Sequence, residues 1–447
     1  MTSQIKTYTY PNGEIQRIQL VRWDSWADLD FMELPWSDKA MDCFCNIYRN
    51  FLVPSNPEAF GQMILFRLPE GFALPLPCDQ TAWGEVADRL TAAAAALTEG
   101  VTVQDGIPTF RTETAKVLWN FLEQHNCLQV IGGNKPETVA IPLGNRPGYM
   151  SEHFPDAALK VNASFFIMDR FDCATVYDHV GTPFGLRVKD GVVAQPPLYG
   201  REALLVHQSG EVSIRNLDIS DLTLEINGQH LIPGKNADLY TRPHHTHAPA
   251  GKQQTLVIVG NRVVAVGEGK LPVPASGFVL CPRERCRVSP GDPVQYLGLE
   301  QISFGIQVGN SIIRDGEKTE HFRSSFYDIG RGEPVPYPPS LYPMDFDRAR
   351  AARIALGADS AGKPMLLWAE GAAKFGYVPG VGSCGASLKE MAQLCADVGM
   401  VHAINLDGGG SAQILLNNQR TLEISDRNPA DFSQAERPIP LGLIIKA

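Results

Sequence analysis

Three consecutive glycines follow a strand-like apolar run near the C-terminal end of the chain, and they limit what this region can become. Val401 to Leu406 reads as a buried strand, Asp407 stands at its tip, and Gly408, Gly409 and Gly410 come next, before Ser411. A second strand is expected from Ser411 to Leu416. Glycine in series weakens any helix or strand interior, so the segment has to be a tight turn between two strands. Asp407 is delivered at the end of the first of them. Without Cβ atoms the turn can let a ligand touch the backbone. Its N–H groups can converge on an anion, with the Ser411 hydroxyl as an added donor. No lysine follows and no helix is expected next, so this is not a nucleotide-binding P-loop.

The same punctuation recurs upstream. Apolar runs of strand length stand at Leu128–Ile131, Thr138–Ile141, Leu204–Val206, Thr255–Val259, Arg262–Val266 and Pro364–Trp368. Gly132-Gly133, Gly191 and Gly260-Asn261 mark turns between them. One helix is clear, Ser387 to about Val398. Ser387 caps it, Glu390 closes a capping box, Leu388, Met391, Ala392 and Cys395 form its buried stripe, and Gly399 ends it. With 41 glycines and 33 prolines among 447 residues, many short elements are expected. The predicted fold class is α+β: a strand-rich, mixed-sheet domain with few helices over residues 121–447, preceded by a smaller α/β region over 1–120. That first region holds Trp23, Trp26, Trp36, Trp83 and Trp119, five of the six tryptophans. Helices are expected there at Thr81–Thr98 and Thr112–His125. It carries no chemical motif, and its role is open.

Composition removes several function classes. A net charge of −10 argues against a nucleic-acid partner, which would call for a basic face. No apolar window reaches membrane-spanning length, and the N-terminus lacks an apolar core of signal-peptide length. Nine scattered cysteines suit reduced thiols better than a disulfide framework. A cytoplasmic location is therefore expected, with non-classical export or a phage origin as alternatives. His244-His245-Thr246-His247 sits in a proline-flanked loop and reads as incidental rather than as a metal site. Asp345 and Asp347 read as a solvated loop. Cys281/Cys286 and Cys43/Cys45 lack zinc-knuckle spacing. No cofactor is predicted; a divalent cation assisting a phosphate is left open without a supporting motif.

Asn405-Leu406-Asp407-Gly408-Gly409-Gly410-Ser411 resembles the signature of the phosphodiester glycosidase family. Further segments are similar to that family in the same order. They are Asn162-Ala163-Ser164-Phe165-Phe166, Thr182-Pro183-Phe184-Gly185-Leu186, Gly305 to Gly316, Arg353-Ile354-Ala355-Leu356-Gly357, Leu366 to Gly371, and Glu436-Arg437-Pro438. Together they cover roughly residues 125 to 447. Ser164 stands where the family has glycine, Ala412 where it has a second small hydroxyl residue, and Glu370 where it has aspartate.

The resemblance implies hydrolysis of a glycosidic bond to phosphate in a sugar-1-phosphate diester, on a small-molecule or glycan substrate carrying phosphate. Such a reaction calls for a carboxylate near the anomeric carbon and cationic or N–H donors near the phosphate. Asp407 is the first candidate, as nucleophile or base, and Glu370 the second acid. Arg353 offers a planar fork for phosphate. Arg437, beside Glu436, is either a second clamp or half of an internal ion pair. Asn162 is a donor to sugar or phosphate, Gly408 to Ser411 an anion-binding turn, and Phe165 and Phe166 core residues. The alternatives are a non-catalytic binding module for an anionic glycan and a glycosidase of a non-phosphorylated polysaccharide.

Overall fold

The computed structural model describes residues 1–34, 148–167, 181–242 except 199, 245–322, and 349–447 except 375 and 429. It also gives the backbone of three short strands between 72 and 110. The helices expected at 81–98 and 112–125, the strands expected at 128–131 and 138–141, and His244, Asp345, Asp347, Cys43 and Cys45 lie outside the described residues.

The described chain is dominated by strands in antiparallel sheets. One sheet has seven strands, in the order Thr2–Thr9, Ile15–Arg22, Pro364–Ala369, Arg353–Asp359, Met400–Asn405, Ser311–Arg314 and Glu317–Lys318. A four-stranded sheet runs Ile414–Leu416, Leu159–Asn162, Leu441–Ile445 and Leu29–Glu33. Strands between Arg187 and Gln307 build the sheets of a second core. The expected mixed sheets are corrected: every pairing between the named strands in these two sheets is antiparallel. Three of these pairs are hairpins, Thr2–Thr9 with Ile15–Arg22, Ser311–Arg314 with Glu317–Lys318 and Arg353–Asp359 with Pro364–Ala369, which can only be antiparallel. The other neighbours come from segments far apart in the chain, so no local signal sets their direction. Residues 2–33 supply three strands to the sheets of the C-terminal region.

Alternation explains how the seven-stranded sheet is buried on both faces. Ile354, Leu356, Leu366, Trp368 and Ile404 point into the larger core, against Leu159, Val161 and Leu443 of the four-stranded sheet. Ile18, Leu20, Ala355, Leu367 and Ala369 point the other way, against the helix. A strand side chain alternates faces at every residue, so Pro364–Ala369, covered on both sides, is buried throughout. That is why it reads as an unbroken apolar run. The helix spans Leu388–Asp397, with the Ser387–Glu390 capping box formed as expected. It buries Leu388, Met391, Ala392, Leu394 and Cys395. Full burial of a Leu or Met side chain is worth about 1.5–3 kcal/mol, so the stripe fixes the helix firmly on the sheet. Among the described residues no helix is long and apolar enough to cross a membrane.

Candidate active site

Strand register brings three of the expected residues to one end of the seven-stranded sheet. Arg353 pairs with Ala369, so Glu370 follows directly beside it. Ala355 pairs with Asn405, so the chain leaving that strand delivers Asp407 at the same end. Ile18 also pairs with Ala369, which places Arg17 next to Glu370. The four-stranded sheet supplies the remaining wall. Leu159 and Val161 face the core, so Lys160 and Asn162 face the opposite side.

The glycine turn is held from several sides. Asp407 N–H donates to the Ala163 carbonyl at 2.9 Å. Asn162 is 1% exposed; its Nδ2 donates to the Asp407 carbonyl at 2.6 Å and its Oδ1 accepts from Gln413 N–H at 2.9 Å. Residues 409–411 form one 3-10 turn, and the strand expected from Ser411 begins at Ile414. Gly409 N–H donates to the Ala352 carbonyl at 2.8 Å, and the Ser411 and Ala412 N–H groups donate to Gly408 and Gly409 at 3.2 Å each. Two N–H groups of the expected anion-binding turn, those of Gly409 and Ser411, are therefore engaged by backbone carbonyls. Ser411 itself is buried. Asp407 is half-buried at the mouth of the turn.

The other expected residues make firm partners. Arg353, 5% exposed, donates from Nε to the Ala386 carbonyl at 3.2 Å and from Nη2 to the Ala349 carbonyl at 3.1 Å. A Cβ on Gly408 would lie 3.7 Å from Arg353 Cδ. Arg353 thus lies against the turn, with Nε and Nη2 on backbone carbonyls. Glu370 is buried; its Oε2 pairs with Arg17 Nε at 2.5 Å and its Oε1 accepts from Glu423 N–H at 2.8 Å. Arg437 donates from Nε to Asp426 Oδ2 at 2.8 Å and pairs with it again through Nη2. An internal ion pair, one of its two expected roles, is formed, with Asp426 as the partner. Glu436 accepts from Ser151 N–H and Oγ, at 3.1 and 2.5 Å, and pairs with Arg420. Phe165 and Phe166 are buried in the core.

Several participants were not singled out from the sequence. Asp426, 7% exposed, is pressed with Arg437 against Gly410, where a Cβ would collide with both side chains. Gln413, fully buried, donates from Nε2 to the Arg437 carbonyl at 3.1 Å and accepts from Arg420 at 3.2 Å. It links Asn162 to the arginine pairs. Lys160 reaches the carbonyls of Met150 and His153 and Asn418 Oδ1, each at 2.6 Å. Burial pulls its ammonium below the usual lysine range, with Glu436 opposing and Arg420 assisting. The signals were faint: isolated polar residues within strands and loops, without spacing to mark them.

Among the described residues no group of three or more His, Cys, Asp or Glu is arranged to hold a metal ion. His247 is exposed, and its Nδ1 lies 3.1 Å from Thr246 Oγ1. Cys281 and Cys286 are buried and unlinked.

Residues 234–446 match the family model for phosphodiester glycosidase. The family resemblance read from the sequence is thus shown over this stretch, which holds the Asp407 turn, Arg353, Glu370 and Arg437. Asn162 and Ser164 lie ahead of the matched residues. No curated protein matches the chain. Among solved structures, a hypothetical protein from Synechocystis is 21% identical over 68% of this chain, with a TM-score of 0.39; this chain covers 55% of its length. A candidate exported protein from Burkholderia pseudomallei is 16% identical, over 100% of this chain and 97% of that one, with a TM-score of 0.43. The zebrafish N-acetylglucosamine-1-phosphodiester alpha-N-acetylglucosaminidase catalytic domain, auto-inhibited by its pro-peptide, is 18% identical. That match spans 55% of this chain and 81% of that one, with a TM-score of 0.25.

Proposed function

We propose that this phosphodiester glycosidase domain hydrolyses the bond between an anomeric carbon and phosphate in a sugar-1-phosphate diester of the GlcNAc-1-phosphodiester type. The products are the free sugar and a phosphomonoester. The observation that carries the reading is the placement of Asp407: half-buried at the mouth of a turn that Asn162, Ala163, Ala352 and the Asp426–Arg437 pair hold in position. A carboxylate fixed this way is suited to meet positive charge developing at an anomeric carbon, as nucleophile or as base for water.

The state of Glu370 favours a phosphate leaving group over an alkoxide. Cleaving an ordinary glycoside needs a carboxylic acid aimed at the leaving oxygen. Both oxygens of Glu370 are engaged, by Arg17 and by Glu423 N–H. A phosphate monoester leaves as a stable anion and needs charge neutralisation rather than a proton. Arg17, a third exposed, is a cation at this end of the sheet suited to that task. The polysaccharide reading therefore ranks below the phosphodiester reading.

The test is release of free sugar from a panel of α-linked GlcNAc-1-phosphodiesters. Turnover by the parent chain, abolished in Asp407→Asn with melting temperature retained, supports the reading. Binding of panel members without turnover would instead support a non-catalytic module for an anionic glycan. A cytoplasmic location belongs to the same proposal, and cell fractionation tests it.

A further inference from the structure

We propose that Arg242, His247 and Lys270, in the sheets of the second core, bind a phosphate group of the substrate other than the one at the bond cleaved; this rests on the reading that the substrate carries phosphate. The substrate class that follows is an extended, repeating phosphodiester rather than a single diester.

Two connecting segments carry these residues and are laced together. Arg242 follows the strand Ala237–Thr241, and Lys270 stands two residues beyond the strand Arg262–Glu268. Arg242 Nε donates to the Val273 carbonyl at 2.9 Å. Val273 N–H donates to the Thr246 carbonyl at 3.0 Å, and Ala248 N–H to the Leu271 carbonyl at 2.8 Å. His247 forms an antiparallel bridge with Pro272. Ala248 and Val273 are buried. Side chains alternate along extended backbone, so their neighbours His247 and Pro272 face outward, and Lys270 with them. His247 and Lys270 are both exposed.

The charges on this face are of one sign. Burial, then Lys270 and Arg242, hold the His247 imidazole below its usual range. Among the described residues no carboxylate opposes them. Glu268, the acid nearest to Lys270 along the chain, is taken by Arg285 Nη1 at 3.0 Å. The Lys270 ammonium pairs with no acid among the described residues, and His247 bonds only its neighbour, Nδ1 to Thr246 Oγ1 at 3.1 Å. Cations set side by side repel, and acids are plentiful in this chain, 49 against 39 lysines and arginines. No structural gain accounts for the arrangement; an anionic ligand does.

Phosphate meets the chemistry. Its oxygens accept charge-assisted hydrogen bonds from guanidinium and imidazolium N–H groups, and its negative charge favours the protonated imidazole that the two cations oppose. A repeating phosphodiester presents such a group at a distance from the bond cleaved, so this face adds affinity for a chain and nothing for a lone diester.

The experiment titrates tripolyphosphate into the full chain at low ionic strength, with the His247 ring protons followed by NMR. Tripolyphosphate should move the His247 titration to higher pH. Lys270→Gln should weaken its binding about fivefold or more, Lys270→Arg should restore it, and the melting temperature should not fall in either. Hydrolysis of the methyl diester of α-GlcNAc-1-phosphate should be unchanged in Lys270→Gln. The proposal is overturned if sodium chloride at matched ionic strength moves His247 equally, because that is screening alone. Tripolyphosphate binding unchanged in Lys270→Gln also overturns it, as does binding to phosphatidylserine vesicles without binding to tripolyphosphate, which would mark a membrane-facing surface. A chain that binds tripolyphosphate here but cleaves no diester would sink the catalytic reading and leave the anion site standing. Cleavage of the diester without tripolyphosphate binding would do the reverse.

Discussion

The Asn162 side chain is hydrogen-bonded to the backbone of the candidate catalytic carboxylate's own residue: its Nδ2 donates to the Asp407 carbonyl at 2.6 Å. Its Oδ1 holds Gln413 N–H on the far flank of the same turn. One buried amide therefore sets the separation of the two ends of the glycine turn. Asn162→Ala leaves a buried carbonyl and a buried N–H without this partner, at about 1–3 kcal/mol for each group. A loss of roughly 2–4 kcal/mol in urea melts, with turnover of a phosphodiester substrate abolished, is expected.

Gly409 and Gly410 should respond very differently to alanine. A Cβ at Gly409 meets nothing within 4 Å, but its φ is +58°, so Gly409→Ala should cost about 1–2 kcal/mol from backbone conformation alone. A Cβ at Gly410 strikes the Arg437 guanidinium and the Asp426 carboxylate. Displacing either ion leaves the other buried and poorly paired, a loss of about 3–5 kcal/mol. Paired denaturant titrations of the two variants check the contrast, and equal losses would contradict the packing described here.

Arg17→Ala tests the link between the N-terminal strands and the site. It removes the cation from Glu370 Oε2 and leaves a carboxylate that is 2% exposed. Loss of one partner of a buried pair costs about 3–5 kcal/mol, and the exposure of Arg17 places the expected value near 2–3 kcal/mol. Arg17→Lys should recover part of that stability by restoring the charge without the fork. Calorimetric melting of the two variants decides.

The helix cap should weaken in acid. Burial raises the Glu390 carboxyl, but hydrogen bonds from Arg350 and Ser387 outweigh it and hold the group below its ordinary 4.5. A carboxyl with a depressed folded-state pKa contributes stability that is complete above its unfolded value. That stability is lost as pH falls through the folded value, so the decline should run downward from about pH 5. Glu390→Gln should flatten that part of the stability–pH curve and lower stability at neutral pH. Urea melts across pH 3–7 (an interval of roughly that span suffices) give the slope directly.

Local features were legible in the sequence. The helix at Leu388–Asp397 declared itself through its cap and its apolar period, since both signals lie within one short segment. The strands Gln254–Val259 and Arg262–Glu268, joined at Gly260-Asn261, were equally plain. The glycine turn was visible as a turn, although the strand after it starts three residues later than its composition suggested. The mixed sheet was misread because pairing direction depends on partners far along the chain.

Partners were what the sequence withheld. Arg353 and Glu370 could be named as charged residues at strand ends, but not that two carbonyls hold the first and Arg17 the second. Arg17 and Glu370 are separated by 353 residues, and nothing local in either segment encodes the pairing. Asp426 and Gln413 escaped notice for the same reason. By itself the sequence determined that a carboxylate would stand at the tip of a buried strand, because three glycines after an apolar run allow little else. Only the tertiary structure decided which charges of the neighbouring segments are already neutralised, because ion pairs form through space, where strand register and sheet order bring distant segments together.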